Sequence, residues 1–109
     1  MANTFKLITD TAVGTSAATV YTCPASTATT VIGLSLANII NNTVTVDIQV
    51  DNNDGDNIYI VKAAPVPIGS SLVAIGGDQK LVLNESDVLK VTASDASSVD
   101  VALSILEIT

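Results

Sequence analysis

Thr43-Val44-Thr45-Val46-Asp47-Ile48-Gln49-Val50 decides the fold class. Val44, Val46, Ile48 and Val50 fall on one side of an extended chain, and Thr43, Thr45, Asp47 and Gln49 on the other. Side chains of a strand alternate between its two faces, so this segment reads as a strand with one face on a core and one in water. Asp51-Asn52-Asn53-Asp54-Gly55-Asp56-Asn57 follows, and its Asp54-Gly55 supplies a turn, because glycine takes positive φ at no steric cost. Ile58 to Lys62 then returns as the second arm of a hairpin.

The same period of two recurs outward in both directions, and no segment of helical length carries a 3.6-residue apolar period. Upstream, Thr4 to Thr9 places Phe5 and Leu7 on one face and Lys6 on the other. Ala18 to Thr22 stops at Cys23-Pro24, since proline gives the ladder no donor. Thr29 to Ile40 is long and apolar, with Gly33 and Ala37-Asn38 as candidate bulge or bend positions, and Asn41-Asn42 turns the chain. Downstream, Ala63-Ala64-Pro65-Val66-Pro67 reads as a stiff extended connector. Strands are expected over Leu72 to Ile75, Gln79 to Leu83, Val88 to Thr92 and Val99 to Ile108. Turns are expected at Gly76-Gly77-Asp78 and Asn84-Glu85-Ser86-Asp87. The last strand sets Val101, Leu103 and Ile105 inward. The expected fold is therefore all-β: an antiparallel β-sandwich of eight or nine strands, jelly-roll or immunoglobulin-like, in one domain over residues 1–109.

Composition narrows function. Of 109 residues 48% are hydrophobic, only 14% are charged, and the aromatics are Phe5, Tyr21 and Tyr59. The net charge of −7 comes with scattered lysines, Lys6, Lys62, Lys80 and Lys90, and no arginine. Phosphate binding needs clustered cations, so nucleic acid and anionic membrane surfaces are not expected partners. The N-terminus shows no basic segment followed by an apolar run, and no apolar stretch reaches the ~18 residues of a membrane helix. The single Cys23 excludes an intramolecular disulfide and fits folding in a reducing cytoplasm. So little charge on a small domain suggests that neighbours cover part of its surface.

Catalytic chemistry finds few carriers. Histidine is absent, which removes the commonest general base and metal ligand and every Ser-His or Cys-His pair. Cys23 has no cation near it in sequence and reads as a buried small hydrophobe. Paired carboxylates can hydrolyse glycosidic bonds, but Asp10, Asp47, Asp51, Asp54, Asp56, Asp78, Glu85, Asp87, Asp95, Asp100 and Glu107 mostly occupy turns or polar faces, and sugar-stacking aromatics are few. No catalytic residue and no cofactor is expected. Asp51, Asp54 and Asp56 form the one metal candidate. In an EF-hand register from Asp51 the sixth position is Asp56 rather than glycine and the twelfth is Lys62 rather than glutamate, so a turn-forming hairpin loop is the simpler reading. Apolar residues on both faces of Leu34 to Ile40 and of Val99 to Ile108 fit either a two-sided core or a partner interface.

Tyr21-Thr22-Cys23-Pro24-Ala25 with Val31 to Asn38, Tyr59-Ile60-Val61-Lys62 with Pro65 to Leu72, and the closing Gly77 to Leu83, Val88-Leu89-Lys90-Val91 and Ser104 to Thr109 cover nearly the whole chain. Together they resemble small virion structural proteins of tailed bacteriophages, including phages of marine cyanobacteria. Asn84-Glu85-Ser86-Asp87 departs from the resemblance, since similar proteins often carry glycine before the aspartate. The resemblance implies a β-sandwich in the virion, assembled in the host cytoplasm, and transfers no catalytic residue. A capsid decoration or cement protein is the expected role, with the major capsid protein or other virion proteins as partners and a homo-oligomer, a trimer at local three-fold axes, as its state. A tail, neck or fibre component, binding a host surface, is the alternative.

Overall fold

A computed structural model of the chain describes residues 2–76 and 80–109. Its strands are β1 (Asn3–Val13), β2 (Ala18–Thr22), β3 (Ala28–Asn38), β4 (Val44–Asp51), β5 (Asn57–Val66), β6 (Ser71–Ile75), β7 (Leu81–Leu83), β8 (Val88–Ala93) and β9 (Val99–Ile108). Two antiparallel sheets result. The first has the order β1-β9-β3-β6 with β7 also on β3, and the second has the order β2-β8-β4-β5. β6 and β7 lie end to end along β3: Ser71 and Ile75 meet Ala37 and Leu34, while Leu81 and Leu83 meet Val31 and Thr29. They share one position beside β3, so the sandwich is four strand positions on four. Apart from β4 to β5 and β6 to β7, every connection crosses between the sheets. An immunoglobulin-like chain instead keeps several successive hairpins within one sheet, so the observed order is that of a jelly roll.

The alternating segment behaves as its pattern dictates. Val44, Val46, Ile48 and Val50 are buried and the residues between them are not. They join Leu89 and Val91 of β8, Val31, Leu34 and Leu36 of β3, and Leu103 and Ile105 of β9 in one buried cluster between the sheets. Each such side chain contributes roughly 1.5–3 kcal/mol by leaving water.

Three expectations need correction. Ala63-Ala64-Pro65-Val66 is strand rather than connector: Pro65 pairs with Thr45 and Val66 with Val44. β5 is outermost in its sheet, where a missing N–H on the free side costs no ladder bond. The first strand runs to Val13 rather than stopping at Thr9, and the Phe5 and Leu7 that share one of its faces lie on the outside of the sheet. The third strand ends at Asn38, whose Nδ2 donates to the carbonyls of Asn42 (2.8 Å) and Val66 (2.9 Å) and whose Oδ1 accepts from the Ile40 N–H (2.9 Å). Gly33 does mark a bulge, where the β3–β9 register shifts. Gly77 and Asp78 of the expected turn, and Gln79 at the start of the expected strand, lie outside the described residues.

Candidate interaction surface

The ionisable groups are mostly tied to structural neighbours. Glu107 of β9 is buried, and accepts from Lys6 Nζ of β1 (2.8 Å) and from the Tyr21 hydroxyl of β2 (2.5 Å). Tyr21 Oη also meets Thr29 Oγ1 at 2.9 Å, and Thr29 Oγ1 meets Cys23 Sγ at 3.3 Å. This chain of contacts bridges the two sheets. The Lys6 ammonium, then the Tyr21 hydrogen bond, hold the Glu107 carboxyl below its ordinary range. Burial first, and then the hydrogen bond to Glu107, push the Tyr21 phenol well above its ordinary value. Cys23 is 1% exposed and ringed by the Thr27 and Leu83 carbonyls.

The candidate metal loop is a self-bonded hairpin turn. Asn52 accepts from the Gly55 N–H (2.9 Å), and its Oδ1 accepts from the Asp54 N–H (2.8 Å). Gly55 takes φ 99°, the conformation that required glycine. Asp51 is engaged by Lys90 Nζ at 2.6 Å, which lowers its pKa, while Asp54 and Asp56 stand in solvent. Among the described residues no three His, Cys, Asp or Glu side chains are grouped to hold a metal. The remaining carboxylates are dispersed. Asp87 accepts from the backbone of Asn84 and Asn53, Glu85 from Ser26, Asp95 from Ser94, and Asp100 from Thr11 and Ala12. Asp47 takes Lys62 at 3.2 Å, Asp10 is half-buried on β1, and Asp78 lies outside the described residues. An open depression of about 440 Å³ near Ser26, Asn84 and Thr109 has Glu85 as its one ionisable lining residue.

The two outer sheet faces differ sharply in charge. The face of β2-β8-β4-β5 carries Asp47 with Lys62, Asp51 with Lys90, and Gln49, a pattern suited to water. Across the face of β1-β9-β3 and its β6–β7 line the register sets four uncharged rows. They are Asn3, Ile108 and Ala28; Phe5, Leu106, Thr30 and Val82; Leu7, Ser104 and Gly33; and Thr9, Ala102, Ser35 and Val73. Phe5 is 73% exposed, Leu7 65%, Val73 66% and Val82 59%. Large apolar side chains grouped in rows without charge have the composition of an interface core, and Asp100, in the next row with Ala37 and Ser71, marks the border of these four. Sequence alternation marked Phe5 and Leu7 as sharing a face. Val73 and Val82 join them only through strand pairing.

No family model and no curated protein matches the chain. The fold does have a solved counterpart. A chain from Bacillus endospore appendages, which form disulfide-linked pili, is similar to this one with a TM-score of 0.54 and 17% sequence identity. The match covers 99% of this chain and 87% of that one. At that identity the likeness is one of fold. The β-sandwich implied by the virion resemblance is thus the architecture observed.

Proposed function

We propose that this protein is a non-catalytic structural subunit that docks, in many copies, onto a larger assembly through the outer face of its β1-containing sheet. One observation carries this: that face holds Phe5, Leu7, Val73 and Val82 in four rows without a charged residue, opposite a face laced with ion pairs. A water-exposed apolar face this even has a partner as its physical rationale. The assembly we propose is a phage shell, on the strength of the sequence resemblance, with the chain acting as a decoration or cement protein on the outside of the major capsid protein. Each copy contributes modest binding energy, and symmetry repeats it. Three-fold clustering is then imposed by the shell rather than by the isolated chain. Copy number from mass analysis of purified particles tests this. Many shell-bound copies are expected. A few copies at one vertex would move the protein to the neck, tail or fibre, and turnover of host-envelope glycans by the pure protein would replace the proposal with an enzyme.

A second reading, a subunit of a surface appendage, draws support from the fold likeness to the endospore pilus chain. Disulfide linkage like that neighbour's is not open to Cys23, which is buried. Such a polymer would hold together by surface contacts, and filaments formed by the pure protein under an electron microscope would favour it.

A further inference from the structure

We propose that β1 is a docking edge for a second copy of this chain, pairing antiparallel with that copy's β1 about a two-fold axis. The contact would be one joint of the assembly proposed above and rests on that reading. Ala2 and Thr109 exchange both backbone bonds, at 3.1 and 3.0 Å, and the β1–β9 register then runs unbroken from Asn3–Ile108 to Asp10–Val101. Antiparallel ladders alternate bonded and non-bonded pairs, so Thr4, Lys6, Ile8 and Asp10 bond to β9. The N–H and C=O groups of Asn3, Phe5, Leu7 and Thr9 therefore point to the open side, where β1 ends the sheet.

The other edges are blunted in ways that natural sheets use against pairing. β5 carries Pro65, register shifts and a left-handed Ala63 with φ 54°. β2 is five residues long with a register shift between Thr19 and Tyr21. β6 and β7 are only five and three residues long. β1 has no proline or glycine, and its register breaks only past Asp10.

Charge selects the occupant and the register. Pairing of Lys6 with Lys6 of the second copy would set like charges opposite each other, which destabilises a ladder. Placing Ile8 opposite Ile8 of the second copy instead sets each Lys6 opposite Asp10 of the other copy. Leu7 and Thr9 then exchange backbone bonds across the axis. The two outer faces merge on one side of a continuous sheet, which doubles the uncharged platform without a new contact type.

Sedimentation equilibrium on the full chain tests this, together with Leu7→Pro and Ile8→Cys. Wild type is expected to dimerise below about 1 mM. Leu7→Pro removes an outward N–H that β9 does not use, so it should keep the β spectrum and raise the dimer dissociation constant at least tenfold. Ile8→Cys sits at a non-bonded pair, with close Cα spacing, and should cross-link to a dimer under mild oxidation while buried Cys23 does not. A monomeric wild type with no Ile8→Cys cross-link overturns the edge, as does association that Leu7→Pro leaves unchanged. Neither result touches particle copy number, which tests the structural-subunit proposal separately.

Discussion

Glu107 is the residue on which the inter-sheet polar bridge turns. Its carboxylate satisfies Tyr21 from one sheet and Lys6 from the other, in a site where an unpaired group would be costly. Glu107→Gln keeps an acceptor for Tyr21 but removes the charge that Lys6 faces, and is expected to lower stability by about 1–2 kcal/mol in urea unfolding. The pH dependence has a defined sign. A carboxyl whose folded pKa is depressed adds stability above its ordinary value of 4.5, and that increment is lost as pH falls through the folded value. The Glu107→Gln variant should therefore show a shallower acid limb. Tyr21 works in the opposite direction: its raised folded pKa adds stability below 10.0 that is lost as pH rises beyond it. Cys23 gives a second check at this scale. A water-soluble thiol reagent should leave it unmodified in the native protein and label it fully in denaturant, because it is 1% exposed.

β5 is the element whose sequence and structure conflict most. Its Ala63 adopts φ 54°, a conformation that costs a non-glycine residue roughly 1–2 kcal/mol. What over-determines it is local: the Ala63 N–H donates to Asp47 Oδ1 at 2.7 Å, while Lys62 reaches Asp47 Oδ2 and lies over the Tyr59 ring at 4.6 Å. Ala63→Gly relieves the steric term and loses some unfolded-state restriction, so a net gain of roughly 0.5 kcal/mol is expected, read as a raised urea midpoint with an unchanged slope. The same kink guards the edge. Glycine there keeps the bulge, so the variant should remain as resistant to edge association as the wild type.

The whole molecule separates an inward layer that holds it together from an outward layer that has no internal task. Leu103→Ala removes a fully buried side chain of β9 and should cost about 2–5 kcal/mol in denaturant unfolding. Val82→Glu, on the outer face and 59% exposed, should change stability by less than about 0.5 kcal/mol. The same substitution places a charge in an uncharged row, so under the proposed docking to a phage shell it is expected to abolish attachment to purified shells in a co-sedimentation assay. Equal loss of stability in both variants would mean the outer face is part of the fold's own support.

The sequence by itself determined the strand class, the alternation of Thr43 to Val50 and of Val99 to Ile108, and the turns at Asp54-Gly55 and Asn84 to Asp87. These are local matters: side-chain period and backbone φ are set by a residue and its near neighbours. Alternation says which residues share a face but not which side of a sheet that face occupies, so Phe5 and Leu7 could be grouped from the sequence, and only pairing with β9 set them outward. Pro65 read as part of an extended connector because the sequence does not record that β5 is an edge. The uncharged platform, the Lys6–Glu107–Tyr21 bridge and the open edge of β1 join residues from opposite ends of the chain. Only the tertiary structure decided them, because hydrogen-bond pairing between distant strands leaves no periodic mark in either strand alone.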